Sequence, residues 1–295
     1  MSSSKQRNPH YMGIICIILS AFCFAFMNLF VRLSGDLPSV QKSFFRNFVA
    51  VFFALIILLK ERKNFHFQKS NLKFLILRSL FGTIGILGNF YAIDHLVLSD
   101  ASMLNKMSPF FAILFSFFLL KEKLTSVQII AVVTAFLGSM MIVKPTFQNM
   151  DILASLSGLM SGMAAGIAYT FVRMLGQRGE NSAFIVFFFS AFSCIFTLPF
   201  LIFDFHSMTL EQTLCLLGAG LAATGGQFSI TKAYCYAPAK EISVYDYSQI
   251  IFAALLGFVV LGEIPDVWSF IGYIVICGTA VAMFIYNNKK HLLKK

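Results

Sequence analysis

The chain has 295 residues, of which 58% are hydrophobic and only 12% charged, with 36 phenylalanines and a formal net charge of +10. So few charges cannot cover a soluble globule of this size, and such hydrophobicity excludes a disordered chain. What remains is an all-α polytopic membrane protein. At about 20 apolar residues per crossing plus a loop, the length holds about ten spans and no separate soluble domain.

In chain order, apolar stretches predict spans near 12–31, 44–59, 74–93, 102–120, 126–143, 152–174, 183–203, 212–235, 244–261 and 267–286. The first follows Lys5 and Arg7 as a signal peptide would, but it has spanning length and no small-residue cleavage pattern. It reads as a retained helix. The second is short and must borrow from Gln41–Ser43 or from Lys60, whose long side chain reaches back to the interface. Turn chemistry separates the spans at Gly35-Asp36-Leu37-Pro38, Lys144-Pro145, Gly176–Gly179 and Ile264-Pro265-Asp266.

Loop charge sets an expected orientation. With the N-terminus in the cytoplasm, the inner segments hold Lys5, Arg7, Lys60, Arg62, Lys63, Lys69, Lys73, Lys121, Lys123, Arg173, Arg178, Lys240, Lys289, Lys290, Lys294 and Lys295. The outer segments hold only Arg32, Lys42 and Lys144. This bias predicts a cell-membrane protein with both termini cytoplasmic. It assigns the positive charge to an anionic inner leaflet rather than to nucleic acid. Cys16, Cys23, Cys194, Cys215, Cys235 and Cys277 lie in or beside apolar stretches with no CxxC spacing, and read as packing residues.

A shift of 141 positions aligns the two halves of the chain. Phe30-Val31-Arg32 falls on Phe171-Val172-Arg173, Thr83 and Gly85 on Thr224 and Gly226, and Leu120 and Glu122 on Leu261 and Glu263. Each half holds five spans, and five is odd, so the second copy enters from the opposite side. The expected architecture is ten transmembrane helices in two inverted-topology five-helix repeats, divided as 1–146 and 147–295. Such repeats build alternating-access transporters with a site near the midplane.

The first half carries Arg78-Ser79-Leu80-Phe81-Gly82, Tyr91-Ala92, Leu98-Ser99-Asp100-Ala101, Ser108-Pro109 and Leu120-Lys121-Glu122. The second echoes it with Ala233, Gln249 and Leu261-Gly262-Glu263. On these residues the chain resembles the drug/metabolite transporter superfamily, in its EamA-like ten-helix family. The resemblance implies solute transport without ATP, for substrates ranging over amino acids, nucleotide-related metabolites, choline-like cations and sugar-derived compounds. One departure is that Ile250 stands where the repeat would match Pro109, so a kink in the ninth span has no proline behind it.

Ionisable groups inside spans are costly and usually face a cavity. Lys106, Lys232 and Asp246 are expected to line the route, although a permanent Lys232–Asp246 pair would also fit. Arg78 reads as snorkelling or helix-end packing, and Arg46 stays open between the two. Asn28, Tyr91, Asn105, Tyr169, Gln227, Tyr245 and Gln249 complete the expected substrate-binding set, each equally able to serve as an interhelical hydrogen bond. A carboxylate flanked by Tyr245 and Tyr247 suits a cationic moiety. Asp94, His95 and Asp100 are expected in an outer polar loop, and the glycines of helices 3, 6 and 8 read as close packing.

The expected function is a secondary active transporter for a small polar or amphipathic metabolite, such as an amino acid, without cofactor or metal. The alternative is a carrier of a nucleoside-derived or quaternary-amine metabolite. No HExxH, GxSxG or paired intramembrane carboxylates point to an enzyme, and nothing suggests the ligand rings of a channel. Proton coupling stays open, as does monomer against homodimer.

Overall fold

A computed structural model describes residues 9–60, 68–120, 125–143, 151–237 and 239–292. The turn at Lys144-Pro145, Glu122, and Lys5, Arg7, Arg62, Lys63, Lys121, Lys123, Lys294 and Lys295 lie outside them. The first repeat contains α1 (Pro9–Leu33), α2 (Ser39–Lys60), α3 (Leu72–His95), α4 (Leu98–Asn105), α5 (Ser108–Leu120) and α6 (Ser126–Val143). The second contains α7 (Ile152–Gln177), α8 (Ser182–Phe203), α9 (Leu210–Tyr236), α10 (Ala239–Asp246), α11 (Ser248–Leu256) with a π-helical extension over Gly257–Leu261, and α12 (Val267–Leu292). Among the described residues, nine helical segments are long and apolar enough to cross a membrane. The remaining crossing, α6, carries a shorter apolar helix over Ile129–Ile142.

The second span does borrow at both ends and runs Ser39–Lys60. Its polar entry is buried because every side chain there finds a partner. Gln41 exchanges hydrogen bonds with the His206 backbone, Lys42 pairs with Asp94 at 2.6 Å, and Asn47 donates to Ser193. Gly35, Gly179 and Gly262 adopt positive φ at three of the chain reversals, where a side chain would be strained.

The fourth and ninth predicted spans are each broken, at Lys106-Met107 and at Tyr247. The 141-residue offset carries Leu98–Asn105 onto Ala239–Asp246 and Leu120 onto Leu261, so the breaks are repeat-equivalent. The first has Pro109, which cannot donate a backbone hydrogen bond. The second has no proline. There the Ser248 hydroxyl takes the Tyr245 carbonyl at 2.7 Å, competing with the helical ladder.

Packing is exchanged between the halves. α1 lies mainly against α9, and α3 mainly against α7, while α2 meets α8 and α6 meets α12. Arg32 and Arg173, equivalent in the repeat, consequently lie at opposite ends of the bundle: Arg32 reaches Glu263, whereas Arg173 reaches Tyr234 and Cys235. The repeats are therefore inverted. Lipid gives little hydrophobic drive for helix association, so close approach matters. A Cβ on Gly162 would come within 2.5 Å of the Leu104 carbonyl oxygen, and one on Gly166 within 2.7 Å of that of Ser108. These glycines let α7 seat directly against the broken span. Large side chains such as Phe52, Phe203 and Leu137 are exposed on the outside of the bundle.

Candidate functional site

At the centre of the bundle lies a small cavity of about 70 Å³. Its polar wall comes from Asn28 on α1, Arg46 on α2, Arg78 and Asn89 on α3, Asn105 and Lys106 at the first break, Tyr169 on α7, Gln227 on α9 and Gln249 on α11. Its apolar wall includes Phe24, Met27, Ile86, Phe90 and Phe189. Both repeats contribute, and Asn28 and Tyr169 are themselves repeat-equivalent.

The breaks deliver the ionised groups. Lys106, at the C-terminal end of α4, donates to Asp246 at the end of α10 over 2.7 Å, and both are almost wholly buried. Asp246 Oδ2 has no partner among the described residues. Asn105 donates to Ser161 on α7, and Asn28 to Ser102 on α4. Tyr169 stacks on Tyr234 with ring centres 4.8 Å apart. Arg46 donates to Asn47 at 2.6 Å and to Gln227 at 3.3 Å, while Arg78 lies 3.7 Å over the Phe189 ring.

Six expected residues therefore meet in one place: Asn28, Asn105, Lys106, Tyr169, Gln227 and Gln249. Asp246 joins them through Lys106. Three others do not. Lys232 is exposed, because α9 buries Gln227, Ile230, Thr231 and Tyr234 on one face and turns position 232 away. The permanent Lys232–Asp246 pair is not formed; Lys106 holds that carboxylate. Tyr91 packs on His95, and Tyr245 on Phe284 of α12. Because Asp246 is already neutralised, the cationic-substrate argument built on its neighbouring tyrosines loses its free carboxylate. Arg46 and Arg78 were absent from the expected set, although both were visible as rare charges inside spans. Each sits about two turns from its helix end, a position from which Arg78 reads as snorkelling and Arg46 stays open. The long side chains instead turn inward to the shared Phe189 face.

Asp100 is not in a loop. It lies in the first turn of α4, where Ser269 and Tyr273 of α12 hydrogen-bond to its carboxylate. Glu263 closes the same end of the bundle. One of its oxygens accepts from Arg32 at 2.8 Å, and the other accepts from the Leu98 backbone N–H, filling an open donor at the start of α4. Gly262, with φ +67, makes the turn that brings Glu263 back. The Leu98-Ser99-Asp100-Ala101 and Leu261-Gly262-Glu263 motifs are thus two sides of one joint. Arg32 also donates to the Ile93 carbonyl, and Arg173 to that of Tyr234, its repeat-equivalent.

The EamA-like transporter family matches this chain over residues 11–144 and again over 152–285. The chain belongs to the EamA-like transporter family. It is 32% identical over 273 residues to the pseudopaline exporter CntI of Pseudomonas aeruginosa, covering 92% of this chain and 95% of that one. It is 28% identical over 297 residues to an uncharacterized transporter of Helicobacter pylori, across 98% and 100% of the two chains. Human solute carrier family 35 member G1 is 25% identical over 313 residues, covering 97% and 84%. A crystal structure at 13% identity superposes with a TM-score of 0.70 over 94% of this chain and 98% of the other, which shows a common fold. The protein is a multi-pass membrane transporter of the drug/metabolite transporter superfamily.

Proposed function

We propose that the protein is a secondary active transporter that carries a small polar or amphipathic metabolite across the cell membrane by alternating access. The observation that carries this reading is the pair of repeat-equivalent breaks meeting at a central cavity. Discontinuous helices at a repeat interface, with their ionised groups buried there, suit a carrier whose halves rock about a fixed site. Arg32 and Glu263 are joined at one end, and the repeat-equivalent Arg173 donates to the Tyr234 and Cys235 carbonyls at the other. Loop charge favours both termini in the cytoplasm, and the relative named as an exporter favours export.

Proteoliposomes test this. A carrier gives saturable uptake and counterflow when the lumen is loaded with unlabelled substrate. Flux that rises linearly with concentration and shows no counterflow would overturn the proposal in favour of a channel.

A further inference from the structure

Four cations are buried among the described residues: Lys42, Arg46, Arg78 and Lys106. Lys42 and Lys106 each have their own carboxylate, at 2.6 and 2.7 Å. Among the described residues the two arginines have none. Arg46 spends its Nη groups on neutral amide oxygens, and its Nε has no partner among the described residues. Arg78 makes no hydrogen bond to any described residue, its Nε is also unpartnered, and its guanidinium rests on Phe189. Arginine keeps its charge in proteins, so it cannot escape this burial by losing a proton. Asp246, the acid beside the cavity, is engaged by Lys106. The cavity therefore carries three positive groups and one negative group, with two guanidinium forks around the same aromatic ring.

Gly82 makes space for this. A Cβ there would collide with Arg78 Nη1 and lie 2.7 Å from Phe189 Cε2. The absent side chain is the slot in which the guanidinium lies flat.

Resting on the transport reading above, we infer that Arg46 and Arg78 bind a carboxylate of the transported solute, so that the substrate is an organic anion. A carboxylate presents two oxygens in one plane, which the guanidinium fork matches, and the anion supplies the charge the protein withholds. The facing amides of Asn28, Asn89 and Gln249 and the apolar wall receive the remainder of the molecule. This assignment replaces a cationic substrate with an anionic one.

The test uses the full-length protein in detergent and in proteoliposomes. The probes are lactate, succinate and glutamate, with their amides, inorganic phosphate and choline alongside. Thermal unfolding should shift upward with at least one carboxylate, because a ligand stabilises the state it binds. It should not shift with the matching amide or with choline. Arg46→Gln and Arg78→Gln should each weaken the apparent affinity by about tenfold or more, the scale of a lost charge-assisted contact. Lys73→Gln, an exposed site at the start of α3, should leave it unchanged. The arginine variants should melt at or above the wild-type temperature without ligand, since each removes an unpaired buried charge. That measurement separates a binding role from a structural one. The inference is overturned if no carboxylate shifts the protein, if only phosphate or choline does, or if the arginine variants respond like wild type. Saturable transport of a cation or neutral solute, unaffected by Arg78→Gln, would overturn the anion site while leaving the transport reading intact. Carboxylate binding without any transport would do the reverse.

Discussion

Asp246→Asn would leave the Lys106 ammonium without a counter-charge in a setting where its side chain is 2% exposed. At 2.7 Å and an effective dielectric near 20, the direct attraction is about 6 kcal/mol. Much of that is offset by the desolvation of both ions, and breaking one side of a buried pair costs about 3–5 kcal/mol net. Removing both sides leaves no stranded charge. Asp246→Asn and Lys106→Gln should therefore each lower the unfolding temperature clearly. The double variant Lys106→Gln/Asp246→Asn should melt above either single variant. Thermal unfolding of the four proteins in one detergent, followed by fluorescence, completes the cycle. Transport should fall in all three variants, because the pair joins the two breaks. Additive losses in the double variant would refute the account, as they would mean that the two residues stabilise the fold independently.

Glu263→Gln removes the charge from the joint at one end of the bundle and weakens the acceptor for Leu98 N–H. It should raise cysteine reactivity at cavity position 28 from the Glu263 side, and unchanged labelling would sink the gate. Gly162→Val should abolish stable α7–α4 packing, since even its Cβ falls 2.5 Å from a backbone oxygen; a monodisperse, active variant would contradict the close approach. Gly82→Ala should lower the melting temperature, since its Cβ would fall 2.7 Å from the buried Phe189 ring, and bind carboxylates more weakly, read by the same thermal shifts. In a background lacking the six native cysteines, Asp36→Cys and Lys69→Cys, both at exposed positions, should label from opposite faces of the membrane, with position 69 cytoplasmic. Labelling from one face would break the orientation drawn from loop charge.

Much of the fold was legible because hydrocarbon length and loop charge act through local sequence. The ten crossings needed only apolar runs, and the repeat needed only a few charged matches such as Arg32 with Arg173. The break in the ninth span was less legible, since Ile250 offers none of the signal that Pro109 does. It depends on Ser248 turning its hydroxyl onto a carbonyl, a choice that tertiary contacts decide. Pairing was least legible. Lys232 and Asp246 are close in sequence, but helical phase separates them, since α9 buries the stripe through Gln227, Ile230 and Tyr234 and turns Lys232 outward. Lys106 lies 140 residues from Asp246 and reaches it only because the repeats interlock. Arg46 stayed open and Arg78 read as snorkelling because distance from a helix end does not tell which way a long side chain turns.

The exchanged packing has a consequence for how the protein is made. α1 and α3 find their main partners, α9 and α7, in the other half of the chain. Lys106 is synthesised 140 residues before Asp246, and at about 5–20 residues per second the wait is about 7–28 s. Throughout that interval the first five crossings hold Lys106 without its carboxylate and, for most of it, Arg46 without the Gln227 amide that later receives it. Nascent helices in that state cannot close on one another in dry lipid. They must keep their polar faces against the insertion machinery or trapped water until the second half arrives, so the transporter is completed by its C-terminal repeat rather than extended by it.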